Sequence, residues 1–194
     1  MPKLGMEGIR RRQLIEATIA SIHEVGLAES SLSRISARAG VSTGIVHHYF
    51  EDKAELLEST LRTLGTGLRH AVVRRLNLAK TPAQRLLAVI DGNIGADQFT
   101  PEGVSAWLAF WAQVPTHPRL ARVQNVIISR LHGNLVDALR RLGRRDAEDI
   151  ASVTEALIDG LWLRAALSAD GPDPARARRL ILDYLNIRLG QRLG

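Results

Sequence analysis

Residues 30–57 read SSLSRISARAGVSTGIVHHYFEDKAELL. Leu32, Ile35 and Ala39 are spaced as one face of a short helix, Val46 and Phe50 as one face of a second, with Ala39-Gly40-Val41 between them. Ser30 or Ser31 can cap the first and Ser42 or Thr43 the second, because a hydroxyl ahead of a helix accepts from its unpaired first-turn N–H groups. Gly40 suits the left-handed residue that ends one helix and redirects the chain. Two short helices about a glycine turn form a helix-turn-helix, whose second helix enters the major groove of DNA. That reading turns Val46 and Phe50 inward, against Leu32, Ile35 and the preceding helix, and leaves Thr43, Gly44, His47 and His48 outward. A glycine inside a helix costs about 1 kcal/mol relative to alanine, so Gly44 fits a backbone that a phosphate or base edge approaches closely. A plain helical hairpin is the alternative for this spacing.

Charge agrees with the DNA reading locally rather than globally. The 194 residues carry net +6, and cutting the chain after residues 50 and 80 leaves +2 in each part. Between Glu29 and Glu51, however, no acidic residue occurs, while Arg34 and Arg38 do. A surface built from that window does not repel phosphate.

Outward from this window the periodicity is helical nearly everywhere, which predicts an all-α fold of about nine helices. A first helix runs from about Gly8 to Val25 and stops at Gly26. Asp52 caps a long helix with the stripe Leu57, Leu61, Leu64, Leu68, Val72 and Leu76. Thr81-Pro82-Ala83-Gln84 combines an N-cap, proline at the first helical position and a capping-box glutamine, and Thr100-Pro101 and Asp173-Pro174 repeat the cap and proline. Pro118 and Asp146 open the two remaining helices, and Gly160 allows close helix packing. The expected division is a DNA-binding domain over 1–52 and a helical body over 53–194, joined through the long helix.

The same residues exclude much. Zero cysteines remove a disulfide framework, a thiolate zinc site and a cysteine nucleophile, and fit a reducing compartment. His47 and His48 are adjacent and cannot share a metal on a helix, which needs i, i+4 spacing. No phosphate-binding glycine loop, HExxH or GxSxG is present, so neither catalysis nor a cofactor is expected. The start lacks an apolar core after its basic residues, and no apolar run is long enough to span a bilayer, so a cytoplasmic chain with no membrane partner is expected.

GVSTGIVHHYFEDKAELL, residues 40–57, resembles the signature of the TetR family of bacterial transcription regulators. The likeness lies in Gly-Val-Ser at the turn, a glycine two residues on, the Tyr-Phe close and Lys53 opening the next helix. It implies three DNA-binding helices, then six forming a ligand-binding and dimerising body, with a homodimer on an inverted-repeat operator. It also implies roles: Ser42 and Thr43 at the recognition-helix N-terminus, with Arg34 nearby, face the DNA, and Lys53 lies on a phosphate. The family has Tyr where this chain has His47, which leaves that phosphate contact to the shorter His47 or to Tyr49. Arg10 to Arg12 either reach the DNA backbone or a minor groove, or form a solvated helix start.

MPKLGM and IRRRQLI near the start, AWLAFW at 106–111 and ALIDGLWLRAAL at 156–167 resemble the branch of this family that senses choline and represses glycine betaine synthesis genes. In a chain only 4% aromatic, Trp107, Phe110 and Trp111 share one helix face, Asp159 and Trp162 stand one turn apart, and Asn93 interrupts the apolar face of Leu86 and Ile90. These six residues are either ordinary core or the aromatic faces, carboxylate and amide that take a small cation with a polar tail. The resemblance makes choline or betaine aldehyde that cation. Val153, Leu157, Leu161, Leu180, Tyr184 and Ile187, on the last two helices, form an apolar surface suited to self-association.

Overall fold

The computed structural model describes residues 6–193, so the part of the MPKLGM resemblance at 1–5 lies outside the described residues. Among the described residues the chain forms nine α-helices and no strand: α1 (Met6–Glu29), α2 (Leu32–Arg38), α3 (Thr43–Tyr49), α4 (Lys53–Leu78), α5 (Pro82–Ile94), α6 (Pro101–Gln113), α7 (Pro118–Arg141), α8 (Ala147–Leu167) and α9 (Pro174–Leu189). The expected helix starts are where the sequence places them. Ser31 accepts from the Arg34 N–H, Asp52 from Glu55, Thr81 from Gln84 in a complete capping box, Thr100 from Gly103 and Asp173 from Arg176. Gly26 leaves helical geometry at φ 75°, ψ 168°, so the regular part of α1 ends where expected before one short further turn.

Asp146 precedes α8 as expected but does not cap it with its side chain. Its carboxylate is held instead by Arg144, at 2.9 Å through two nitrogens, and by Arg188 at 3.1 Å. A charge-assisted fork outcompetes the single bond from a helix N–H.

The helices pack into two compact units, each with its own core. The first comprises the chain up to Leu64 together with Ser105–Gln124; the second comprises Gly65–Val104 and Asn125 onward, so the division falls inside α4. In the first, Leu14, Ile15 and Ala17 of α1, Ile35 of α2, Val46 of α3, Phe50 and Leu56 form one buried cluster. Leu56, not its expected neighbour Leu57, is the fully buried leucine at the start of α4. The second unit buries Val72, Leu86, Val89, Ile90, Leu135, Leu139, Ile150, Ile158, Ile181 and Leu185.

The glycine that permits close packing is Gly92, not Gly160. A Cβ on Gly92 meets the Val72 Cα at 2.7 Å and its backbone N at 2.9 Å, so α5 lies directly on the α4 backbone, whereas a Cβ on Gly160 meets no atom within 4 Å. Gly92→Ala is therefore expected to destabilise the protein by about 1–3 kcal/mol through overpacking. Gly160→Ala should instead be neutral or stabilise by up to about 1 kcal/mol through helix propensity. Urea titrations of the two variants against the parent test both signs.

Candidate nucleic-acid interface and effector residues

α3 is held by one side and offers the other. Val46 and Phe50 are buried, while Ser42, Gly44, His47 and His48 are exposed and Thr43 is half-buried. The expected inward and outward faces are thus both present. Nothing in the protein crowds Gly44, whose Cβ would meet only the Ser42 Oγ, at 3.8 Å. Ser42 is the N-cap residue, and its exposed hydroxyl makes no capping bond. A helix N-terminus of that kind suits an anion. Ser36 gives its only hydroxyl proton to the Ser33 carbonyl at 2.9 Å, so Thr43, 3.2 Å away, donates to Ser36 and ties α3 to α2.

The surrounding basic residues divide by partner. Arg34 is exposed and has no ion-pair partner among the described residues. Arg38, the other cation of the acid-free window, is forked onto Glu24 of α1. Of Arg10 to Arg12, Arg11 has neither expected role. Its guanidinium lies 4.3 Å from the centre of the Phe50 ring, donates to the Tyr49 carbonyl and reaches Glu55 at 3.4 Å. It caps the C-terminal end of α3, where the helix dipole favours a cation. Arg10 donates to Gln13 at 2.8 Å, and Arg12 is exposed. The half-buried Tyr49 packs edge-on to His48, ring centres 5.0 Å apart. The half-buried Lys53 approaches the Leu27 carbonyl at 3.4 Å.

The six effector candidates fall in two groups. In the first unit, Trp107 and Phe110 are buried, and the Trp107 and Trp111 rings are 6.1 Å apart at 42°. The Trp111 Nε1 is buried without a hydrogen-bond partner, and so is the Gln124 Oε1, on a side chain only 7% exposed. In the second unit, the Trp162 N–H donates to the Asn93 backbone carbonyl at 3.2 Å. The Asn93 amide itself donates to the Val89 carbonyl at 2.8 Å and faces a cavity of about 40 Å³, room for little more than water. Asp159 is exposed, yet the atoms packed around its carboxyl, ahead of the like charge of Glu155, push its pKa up to about 6.

Two further residues, Phe99 and Gln124, were not legible as candidates. Phe99 packs edge-on to Trp162 with centroids 4.9 Å apart. Its signal was its place before the Thr100 cap, with Val104 four helical positions in, the hydrophobic-staple arrangement, and both are buried. Gln124 carried no signal, since a glutamine on a helix is ordinarily solvated.

An exposed recognition helix on a three-helix core, followed by a helical body with buried aromatic residues, is the build of a helix-turn-helix transcription regulator that answers to a small molecule. The model for the bacterial regulatory proteins of the tetR family matches residues 14–60, and that for the BetI-type transcriptional repressor C-terminal region matches residues 82–190. The chain belongs to the TetR family of transcriptional repressors, in its BetI-type branch, and is not an enzyme. It is 47% identical, over 97% of its length and 98% of theirs, to the HTH-type transcriptional regulators BetI of Escherichia coli K12 and of Klebsiella pneumoniae. Among solved structures it superposes on a transcriptional regulator from Rhodococcus at TM-score 0.81 and 27% identity, covering 93% of this chain and 94% of that one. A Saccharomonospora viridis protein solved in complex with choline has the same fold, with TM-score 0.83, 21% identity and coverage of 92% and 96%.

Proposed function

We propose that the protein represses genes for converting choline to glycine betaine, binding an inverted-repeat operator as a homodimer, with choline or betaine aldehyde as effector. The observation that carries this reading is that the similarity to BetI runs through the helical body as well as the DNA-binding helices. Residues 1–52 are the DNA-binding part and 53–194 the sensing and dimerising part.

The chemistry of each part supports it. Ser42, Thr43, Gly44, His47 and His48 form the surface offered to the groove, and Arg34, Tyr49 and Lys53 flank it. Trp107, Phe110, Trp111 and Trp162 supply aromatic faces for a trimethylammonium group, which has no N–H to donate and so is selected by ring electrons. Asp159 adds attraction for the cation, with Asn93 beside Trp162. The Trp111 N–H, buried without a partner, fits a ligand carrying a hydroxyl. Val153, Leu180 and Ile187 are exposed on α8 and α9, and Leu157, Leu161 and Tyr184 are half-buried, giving the apolar face for a two-fold dimer. Among the described residues no helix is long and apolar enough to cross a membrane, and a repressor of this kind works in the cytoplasm.

Gel retardation of an inverted-repeat promoter fragment, with and without choline, tests the reading. A two-fold footprint whose affinity changes with choline supports it; a single footprint shorter than one helical turn overturns the dimer arrangement. Lys53→Ala is expected to weaken binding to all sequences and to lower the slope of log affinity against log salt by about one unit per lost phosphate contact. A changed base preference with an unchanged slope overturns the phosphate role. Thr43→Ala and His48→Ala should each cost about 1–3 kcal/mol, mainly on the cognate operator, as measured against random DNA.

A further inference from the structure

A groove of about 600 Å³ lies within the first unit, and none of the six effector candidates lines it. The end of α1, the first turn of α4 and the α6–α7 junction enclose it. Leu27, Leu57 and Leu120 give it an apolar floor, and Lys53, Arg119 and His117 stand along it. No carboxylate lines it, and neither Lys53 nor Arg119 has an ion-pair partner among the described residues. His117 directs its Nδ1 to the Gln113 carbonyl at 3.1 Å. The volume is that of a small-molecule site.

We propose that this groove binds a small amphipathic anion, a carboxylate or sulfonate on a hydrocarbon body, as a second effector site separate from the choline site. The hydrocarbon covers the leucines and the head group takes the two unpaired cations, whose charge turns away a quaternary amine such as choline. Lys53 couples the groove to DNA. Its ammonium is held only by a long contact to the Leu27 carbonyl, so an anionic head group competes with the operator phosphate for it. The coupling rests on the phosphate role proposed for Lys53; binding in the groove does not.

The test is calorimetry of the full-length protein with decanoate, below its critical micelle concentration, and with 1-decanol as the neutral counterpart. Expected is saturable binding of one decanoate per protomer, at least tenfold tighter than decanol. Arg119→Glu, an exposed substitution outside α2 and α3, should weaken decanoate binding at least tenfold and leave choline binding as in the parent. Ala54→Trp, which fills the groove from an exposed position on α4, should do the same. Absence of saturable binding, equal binding of decanol, or decanoate binding untouched by both substitutions overturns the site. Saturating decanoate should lower operator affinity in the parent but not in Lys53→Ala. An operator affinity unmoved by bound decanoate overturns the coupling alone, and a missing choline response bears only on the function proposed above.

Discussion

Phe50→Ala is expected to abolish operator binding and to cost about 3–5 kcal/mol of stability. Phe50 is 1% exposed at the centre of the cluster joining α1, α2, α3 and the start of α4, and it carries the Arg11 guanidinium on its ring face. Truncation leaves a cavity and frees the cation that closes the C-terminal end of α3. The recognition helix, only seven residues long, has too little intrinsic stability to persist without that anchor. Denaturant unfolding followed by circular dichroism, with gel retardation on the same samples, measures both losses. His48→Ala is the contrast, with full stability and weakened operator binding. A Phe50→Ala protein as stable as the parent would show that the cluster does not hold the DNA-reading surface in place.

Trp107→Ala and Trp162→Ala are each expected to remove the choline response while operator binding persists. Each ring contributes about 0.5–2 kcal/mol to holding a quaternary ammonium. Two or three rings with one carboxylate correspond to a dissociation constant from micromolar to millimolar, about −8 to −4 kcal/mol, so losing one ring moves binding out of the useful range. Both tryptophans are buried, and truncation also costs packing, so Trp107→Leu and Trp162→Leu separate lost ring electrons from lost volume. Coupling to DNA requires choline to favour one conformation of the body, and we propose α4, which opens at Lys53, as the element that carries that preference.

Asp159 adds a pH signature. With its pKa raised to about 6 in the free protein, the carboxyl is largely protonated at pH 5 and ionised at pH 7.5. A raised carboxylate pKa penalises the folded state above about pH 6 and relieves that penalty as pH falls through it toward the ordinary carboxylate range. A bound cation favours the ionised form, so choline affinity should run the opposite way and rise about tenfold between pH 5 and 7.5. Asp159→Asn should flatten that profile. Calorimetric titrations with choline at both pH values decide it. A response unchanged in both tryptophan variants, or an affinity flat with pH in the parent, would return these residues to plain core packing.

Much of the architecture was legible from local chemistry. The caps at Ser31, Thr81, Thr100 and Asp173, the prolines behind three of them, and Gly26 and Gly40 mark where helices begin and end through bonds spanning three or four residues. The 3.6-residue spacing of Leu32, Ile35, Val46 and Phe50 likewise assigns a buried face, and with it the outward set Thr43, Gly44, His47 and His48, without knowledge of any other helix. By itself, then, the sequence determined the all-α class, the positions of the nine helices among the described residues and the outward face of α3. Tertiary structure alone decided partners distant in the chain. Arg11 closes α3 through Phe50 and Tyr49, Arg38 is taken by Glu24, Asp146 by Arg188, and the Trp162 N–H by the Asn93 backbone rather than its amide. It also made Gly92 rather than Gly160 the point of closest packing and Leu56 rather than Leu57 the buried leucine. The reason is physical: a cap is satisfied within one helical turn, whereas an arginine's partner or a glycine's neighbour depends on which helix faces packing brings together.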